Sequence, residues 1–274
     1  MRRASSLVAI LVAVGLVAGS AQFAMAAGGA VSSVLDRIQA KKELVVGTAA
    51  DMPPLNMTTK EGQIIGLEVD IASLFAGGMG VKLTLKQVKF GDLLTALEAG
   101  QVDMVISGMT ILPERNLKAA FVGPYFASGK SILTKAANAD ALSDSSKINN
   151  PDKVLVALKG STSQLFVERL FPKAKLVLTD DYDQAVAMVR DDKVQAMVAD
   201  YPICQVSVFR YPDAKLATLK NPISYEPLGI ALPAGDPLLV NLVQNMLSTL
   251  EKSGELELLM QKWFKDPSWV KRLP

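Results

Sequence analysis

Histidine is absent from this 274-residue chain, and only one cysteine is present. Without histidine there is no Ser-His-Asp catalysis, and the commonest zinc ligand is missing. A cysteine nucleophile would lack its usual base, so Cys204, set in an apolar segment, reads as a small buried hydrophobe. A lone cysteine also excludes an internal disulfide. Charge of one sign is missing too. Once Arg2 and Arg3 are set aside, basic and acidic residues stand equal at 27. A neutral balance offers no electrostatic footprint for nucleic acid. Nothing in these absences calls for a metal or a cofactor, and neither is expected.

No hydrophobic run is long enough for a comfortable membrane span. The longest, Leu7 to Ala18, follows a basic start (Met1-Arg2-Arg3) and precedes Ala24-Met25-Ala26. A basic segment, a short apolar core and a small-x-small site predict a secretory leader cut after Ala26. No cysteine lies near that cut, so a lipid anchor is not expected. The mature chain of roughly 248 residues suits one large domain or two ordinary ones, free and soluble in the periplasm.

Apolar β-type runs alternate with helical runs, which predicts an α/β protein with largely parallel sheet. Strands are expected at Leu44–Gly47, Lys82–Val88 and Met104–Ser107. Helices are expected at Leu67–Ala76, stopped by Gly77-Gly78, and at Asp92–Ala99. A second block predicts strands at Val154–Leu158, Lys175–Leu178 and Ala196–Ala199. Its helices fall at Thr162–Leu170, Tyr182–Asp191 and Cys204–Phe209. Ala136–Asn150 reads as a surface segment, Ile230–Leu232 as a strand, and Pro237–Phe264 as two helices broken at Ser253-Gly254.

Candidate chemistry gathers at the carboxyl ends of these strands, where ligands sit in open α/β sheets. The strand Met104–Ser107 leads to Gly108, Thr110 and then Arg115. A guanidinium reads a carboxylate with two parallel hydrogen bonds, and hydroxyls at a strand end can share the same anion. In the second block Gly160-Ser161-Thr162 runs from a strand into a helix N-terminus, a place suited to helix capping and to an anion. Asp200 ends the strand Ala196–Ala199, placed either to cap the next helix or to hold a cation. Asp51 lies in the loop after the first strand, beside Met52, facing either the cleft or solvent. Phe90 lies between a strand and a helix, as a pocket wall or a core residue.

These motifs, in this order from about Lys41 to Pro267, resemble the polar-amino-acid periplasmic binding proteins, solute-binding family 3. The Ser107-Gly108-Met109-Thr110…Glu114-Arg115 run matches that family's carboxylate grip. Gly66-Leu67-Glu68-Val69-Asp70-Ile71-Ala72, Phe121–Tyr125 and Lys252…Trp263-Phe264 match its other segments. The resemblance implies a type II periplasmic-binding-protein-like fold, two α/β lobes joined by a double crossover hinge. On that pattern, residues 41–130 begin lobe one, 131–226 form lobe two and 227–274 complete lobe one. The crossings fall near Ser128–Leu133 and Ser224–Leu228.

By the same resemblance, Arg115, Ser107, Gly108 and Thr110 hold a ligand's α-carboxylate, with Ser161 and Thr162 opposite. Asp200 takes its ammonium, and Phe90 and Met52 wall its side chain. The chain departs from the pattern where Ala49 replaces an acid and Met52 an aromatic. Those departures favour an uncharged or apolar side chain unless Asp51 points inward. The implied role is a monomeric binding protein that captures an amino acid and delivers it to the membrane permease of an ABC importer. The same fold hosts cyclohexadienyl dehydratases, which need a carboxyl of raised pKa as general acid. Asp51, Asp181 and Glu226 are the candidates for that alternative.

Overall fold

The computed structural model describes residues 33–143 and 145–274, so the leader and its cut after Ala26 lie outside the described residues. A helix, α1 (Ser33–Lys41), leads into β1 (Glu43–Thr48). Here β1 pairs in parallel with β5 (Lys82–Gln87) and β6 (Met104–Val105). The first sheet runs in the order β5-β1-β6-β13-β7, its far edge built from β13 (Glu226–Pro233) and β7 (Ala119–Ser128), which are antiparallel. A small sheet of β2 (Asp51–Met52), β3 (Asn56–Thr58) and β4 (Ile64–Ile65) stands beside it.

The second sheet has the same width, ordered β10-β9-β11-β8-β12. Its parallel strands are β9 (Val154–Leu158), β10 (Lys175–Thr179) and β11 (Ala196–Asp200). Antiparallel to them run β8 (Lys130–Lys135) and β12 (Leu216–Thr218). The central strands β9, β11 and β8 are buried almost throughout, as a sheet with helices on both faces requires, while β10 and β12 at its edges are partly exposed. On the first sheet those helices are α2 (Leu67–Met79), α3 (Leu93–Glu98), the short α4 (Pro113–Asn116), α9 (Pro237–Ser253) and α10 (Glu255–Phe264). On the second they are α5 (Ser145–Ile148), α6 (Thr162–Leu170), α7 (Tyr182–Arg190) and α8 (Tyr201–Arg210). A separate apolar cluster of Ile132, Ile148, Leu155, Val167, Phe171, Ala196 and Val198 fills one side of the second lobe.

The chain passes between the sheets at Gly129, directly after β7, and returns between β12 and β13. These two crossings touch. Ile223 N donates to Lys130 O at 2.8 Å, and Lys130 N donates to Ser224 Oγ at 2.9 Å. Any Cβ at position 129 would collide with Ser224 O, so only glycine lets the strands pass this closely.

Several boundaries differ from the pattern reading. Helix α2 does not stop at Gly77-Gly78. Gly77 faces solvent and Gly78 lies against Met246 of α9; each weakens the helix by only about 1 kcal/mol, and the stop comes at Gly80, left-handed at φ +67°. Regular strand pairing ends at Val105 rather than Ser107, because Ser107 turns its hydroxyl to Ala49 N at 2.8 Å. Helix α8 starts three residues early, at Tyr201, with Pro202 in its first turn, where its missing N–H does no harm. The 136–150 segment is not merely surface, since Ile148 is buried against the second-lobe cluster.

Candidate functional site

Among the described residues, several polar contacts cross the seam between the lobes. Arg115 Nη2 donates to Gly160 O at 3.1 Å, and Thr110 Oγ1 lies 3.4 Å from Thr162 Oγ1. Asp51 Oδ2 accepts from the Tyr182 amide at 3.0 Å. Lys89 meets Asp180 at 2.6 Å on the exposed rim. Gly160 is left-handed at φ +74°, and a Cβ there would lie 3.0 Å from the Cα of Gly91 on the other lobe. Glycine at both positions is what allows backbone to meet backbone.

Arg115 sits on α4 directly after the Thr110 loop. Its Nη1 donates to Thr110 O at 2.9 Å, and its guanidinium lies 5.6 Å from the centre of the Phe90 ring. Burial draws its pKa below the ordinary value, while the charges of Glu226 and Asp200 oppose the shift. Three of its five N–H groups remain beyond these two bonds, enough to grip a carboxylate. Phe90 is buried beneath it and Met52 packs its sulfur against Gly108.

Not every expected contact is available. Gly108 N already donates to Glu68 Oε1 at 2.7 Å, so this amide serves the loop rather than a ligand. Ser161 is committed to its own turn, donating to Leu158 O at 2.7 Å and accepting from Gln164 N at 3.2 Å. Ser107 Oγ accepts from Ala49 N. Thr110 and Thr162 are the hydroxyls that meet across the seam. Asp200 stands at the first position before α8 but makes no capping bond. Its carboxylate instead holds the ammonium of Lys130, its cross-strand neighbour.

Lys130 is the residue the pattern reading missed. It is 1% exposed and lies 3.8 Å from Glu226 Oε2 as well as against Asp200. A lysine opening the strand Lys130–Lys135 and followed by Ile132 and Leu133 was the available signal, since a lysine is almost never fully buried unless paired. Glu226 in turn accepts from Thr110 Oγ1 at 2.9 Å and from Ser224 Oγ at 3.2 Å. Tyr182 was also missed as a cleft residue. Burial first, then the charges of Asp200 and Asp51, push its hydroxyl pKa far above the ordinary value.

Asp51 points inward. It is 8% exposed, its Oδ1 has no hydrogen-bond partner, and burial raises its pKa to about 7. The Tyr182 amide opposes that rise, and the neighbouring acids Asp181 and Asp183 add to it. Beneath this loop, Glu68 is fully buried and ties the first-lobe site together. Its carboxylate accepts from Gly108 N, Tyr125 OH and Asn56 Nδ2, while Asn56 Oδ1 accepts from the amides of Asp51 and Met52. Cys204 is buried and its thiol is pushed up to about 12 by that burial, so it is inert. Among the described residues no cluster of three acids or thiols could hold a metal, and no helix is long and apolar enough to cross a membrane.

Two α/β lobes, a double crossing and polar groups facing each other across the seam define a two-lobed binding protein. The chain belongs to the bacterial extracellular solute-binding proteins, family 3, whose model matches residues 44–266. It is similar to the L-cystine-binding protein TcyJ of Escherichia coli K12, 27% identical over 254 residues covering 93% of each chain. It is 30% identical over 260 residues to the arginine-binding extracellular protein ArtP of Bacillus subtilis 168, covering 91% of this chain and 96% of ArtP. A cyclohexadienyl dehydratase from Pseudomonas aeruginosa is 26% identical over 233 residues, 85% of this chain and 87% of the enzyme. Among solved structures, the ancestral amino-acid-binding protein AncCDT-1, a precursor of cyclohexadienyl dehydratase, superposes with a TM-score of 0.78 at 35% identity. That match covers 85% of this chain and all of AncCDT-1.

Proposed function

We propose that this protein captures an α-amino acid between its lobes, in the periplasm, and presents it to the permease of an ABC importer. The observation that carries this reading is the convergence across the seam of Arg115 with Thr110 and Thr162, and of Asp200 with Lys130 and Glu226. Arg115 binds the carboxylate, aided by the Thr162 hydroxyl, while Thr110 gives its proton to Glu226; Asp200 takes the ammonium on the side not held by Lys130. Ligand contacts divided between lobes favour the closed state by their differential affinity. Closure bends the chain at Gly129 and in the 219–225 return.

The side-chain wall supports an uncharged ligand, with one refinement. Ala49, Met52, Phe90 and Leu158 are apolar and buried, but Asp51 adds a carboxyl with an unpartnered oxygen. A carboxyl with a pKa of about 7 is half protonated at neutrality. An uncharged side chain ending in an N–H donor fits it better than a purely hydrocarbon one. A thermal-shift panel of the twenty amino acids tests this, because a ligand that binds only the native state raises Tm. Amide side chains are expected to give the largest shifts; larger shifts for leucine and isoleucine would remove Asp51 from the pocket, and the largest for arginine or lysine would make it a cation site.

One observation favours a second reading, a dehydratase. A buried carboxyl at about 7 is suited to general acid catalysis near neutral pH. Turnover of prephenate or arogenate by the purified protein decides between the two. Binding without turnover is the expected result.

A further inference from the structure

The ion cluster at the crossing is not balanced. Two carboxylates, Asp200 and Glu226, share the single ammonium of Lys130, and all three side chains are largely or fully buried. Removing a charge from water is tolerated only where it is paired. The nearby cation that offsets the surplus is Arg115, whose charge is coupled to Glu226 more strongly than to Asp200. When a ligand carboxylate takes the guanidinium, that compensation is drawn away, and one negative charge at the crossing is left to be met. The ammonium of the same zwitterion supplies it.

Resting on the amino-acid reading above, we propose that Glu226 is a ligand-binding residue which shares the ammonium with Asp200, one acid from the crossing and one from the second lobe. Its position suits that role. Glu226 Oε2 comes within 3.8 Å of the Lys130 ammonium that Asp200 also holds, and with Thr110 and Thr162 it opens onto a groove of about 500 Å³ whose lining does not include Arg115 or Asp200. Its Oε2 accepts from Thr110 Oγ1, so it touches the loop that delivers Arg115. Lys130 acts as a spacer, holding both carboxylates on one point while leaving them a net charge of one. The ammonium then bridges β11, which ends in Asp200, and β13, which begins at Glu226. Ammonium binding thereby joins the second lobe to the return crossing.

The alternative is that Glu226 only braces Thr110 and Ser224. Glu226→Gln separates the two, because glutamine keeps the shape and can still accept from Thr110. The probes are the amino acid giving the largest thermal shift in the twenty-member panel and its α-hydroxy acid, which has the carboxylate and side chain without the ammonium. Calorimetry is expected to show Glu226→Gln weakening the amino acid at least tenfold while changing the hydroxy acid less than twofold, as Asp200→Asn also does. Equal losses for both probes, or none, would overturn the proposal. An ammonium-specific loss in Asp200→Asn alone would overturn it while leaving the amino-acid reading intact. Failure of every amino acid to bind the wild type would overturn both. Should Glu226→Gln fail to fold, Glu226→Asp keeps the charge on a shorter arm, and a selective loss for the amino acid is again expected; equal loss for both probes would again overturn the proposal.

Discussion

On the proposed closure, Asp51 meets the Tyr182 amide only when the lobes come together, and closure is expected to depend on pH. With the lobes apart the carboxyl is expected to meet water and return toward its ordinary value of 3.8; with them together it is about 7. Because the closed-state value is the higher one, the closed state binds more protons between these limits. Closure without ligand is therefore favoured at low pH and is weakened as pH rises from about 4 to 7. At 1.36 kcal/mol per pH unit over roughly three units, the closed state loses about 4 kcal/mol. Asp181 and Asp183 add to the upward shift and the Tyr182 amide opposes it, while Asp183 is itself paired with Arg210 at 2.9 Å. Small-angle scattering of ligand-free protein is expected to give a smaller radius of gyration at pH 5 than at pH 8. In Asp51→Asn, which cannot ionise, the difference should disappear. Identical curves at the two pH values in the wild type, or a difference that survives in Asp51→Asn, would refute the argument.

Three further outcomes follow from the contacts described. Lys130→Met leaves Asp200 and Glu226 buried without their cation, and urea unfolding should show a loss of roughly 3–5 kcal/mol. Gly160→Ala puts a methyl 3.0 Å from the Gly91 Cα at a backbone angle that only glycine adopts easily. It should weaken amino-acid binding at least tenfold by calorimetry while leaving the far-ultraviolet circular dichroism unchanged. Glu68→Gln places a donor among three donors and should lower Tm and loosen both site loops, seen as faster amide exchange at Asp51, Met52 and Gly108.

The alternation from β9 through α7 was legible nearly residue by residue, because β9, α6, β10 and α7 are short and strongly periodic, with Ser161 capping α6. The crossing strands were not. β7 and β8 follow each other with only Gly129 between them, and a run such as Lys130-Ser131-Ile132-Leu133 gives no sign of which sheet it joins. Arg115, Thr110, Thr162 and Asp200 could be named because each sits at a strand end or helix start. What could not be read was how their hydrogen bonds are shared. Gly108 and Ser161 satisfy neighbours within their own lobes, and Asp200 meets Lys130 from 70 residues away. Local pattern carries no information about such pairings, which arise only when two strands align.

Arg115 is the group proposed to bind a ligand carboxylate across the seam. Calorimetric titration of the best amino acid from the thermal-shift panel into wild type and Arg115→Ala tests it directly. Losing one partner of a desolvated charge pair costs roughly 2–5 kcal/mol, so the variant, folded by circular dichroism, should bind well over tenfold more weakly. An unchanged affinity in the folded variant would contradict the account.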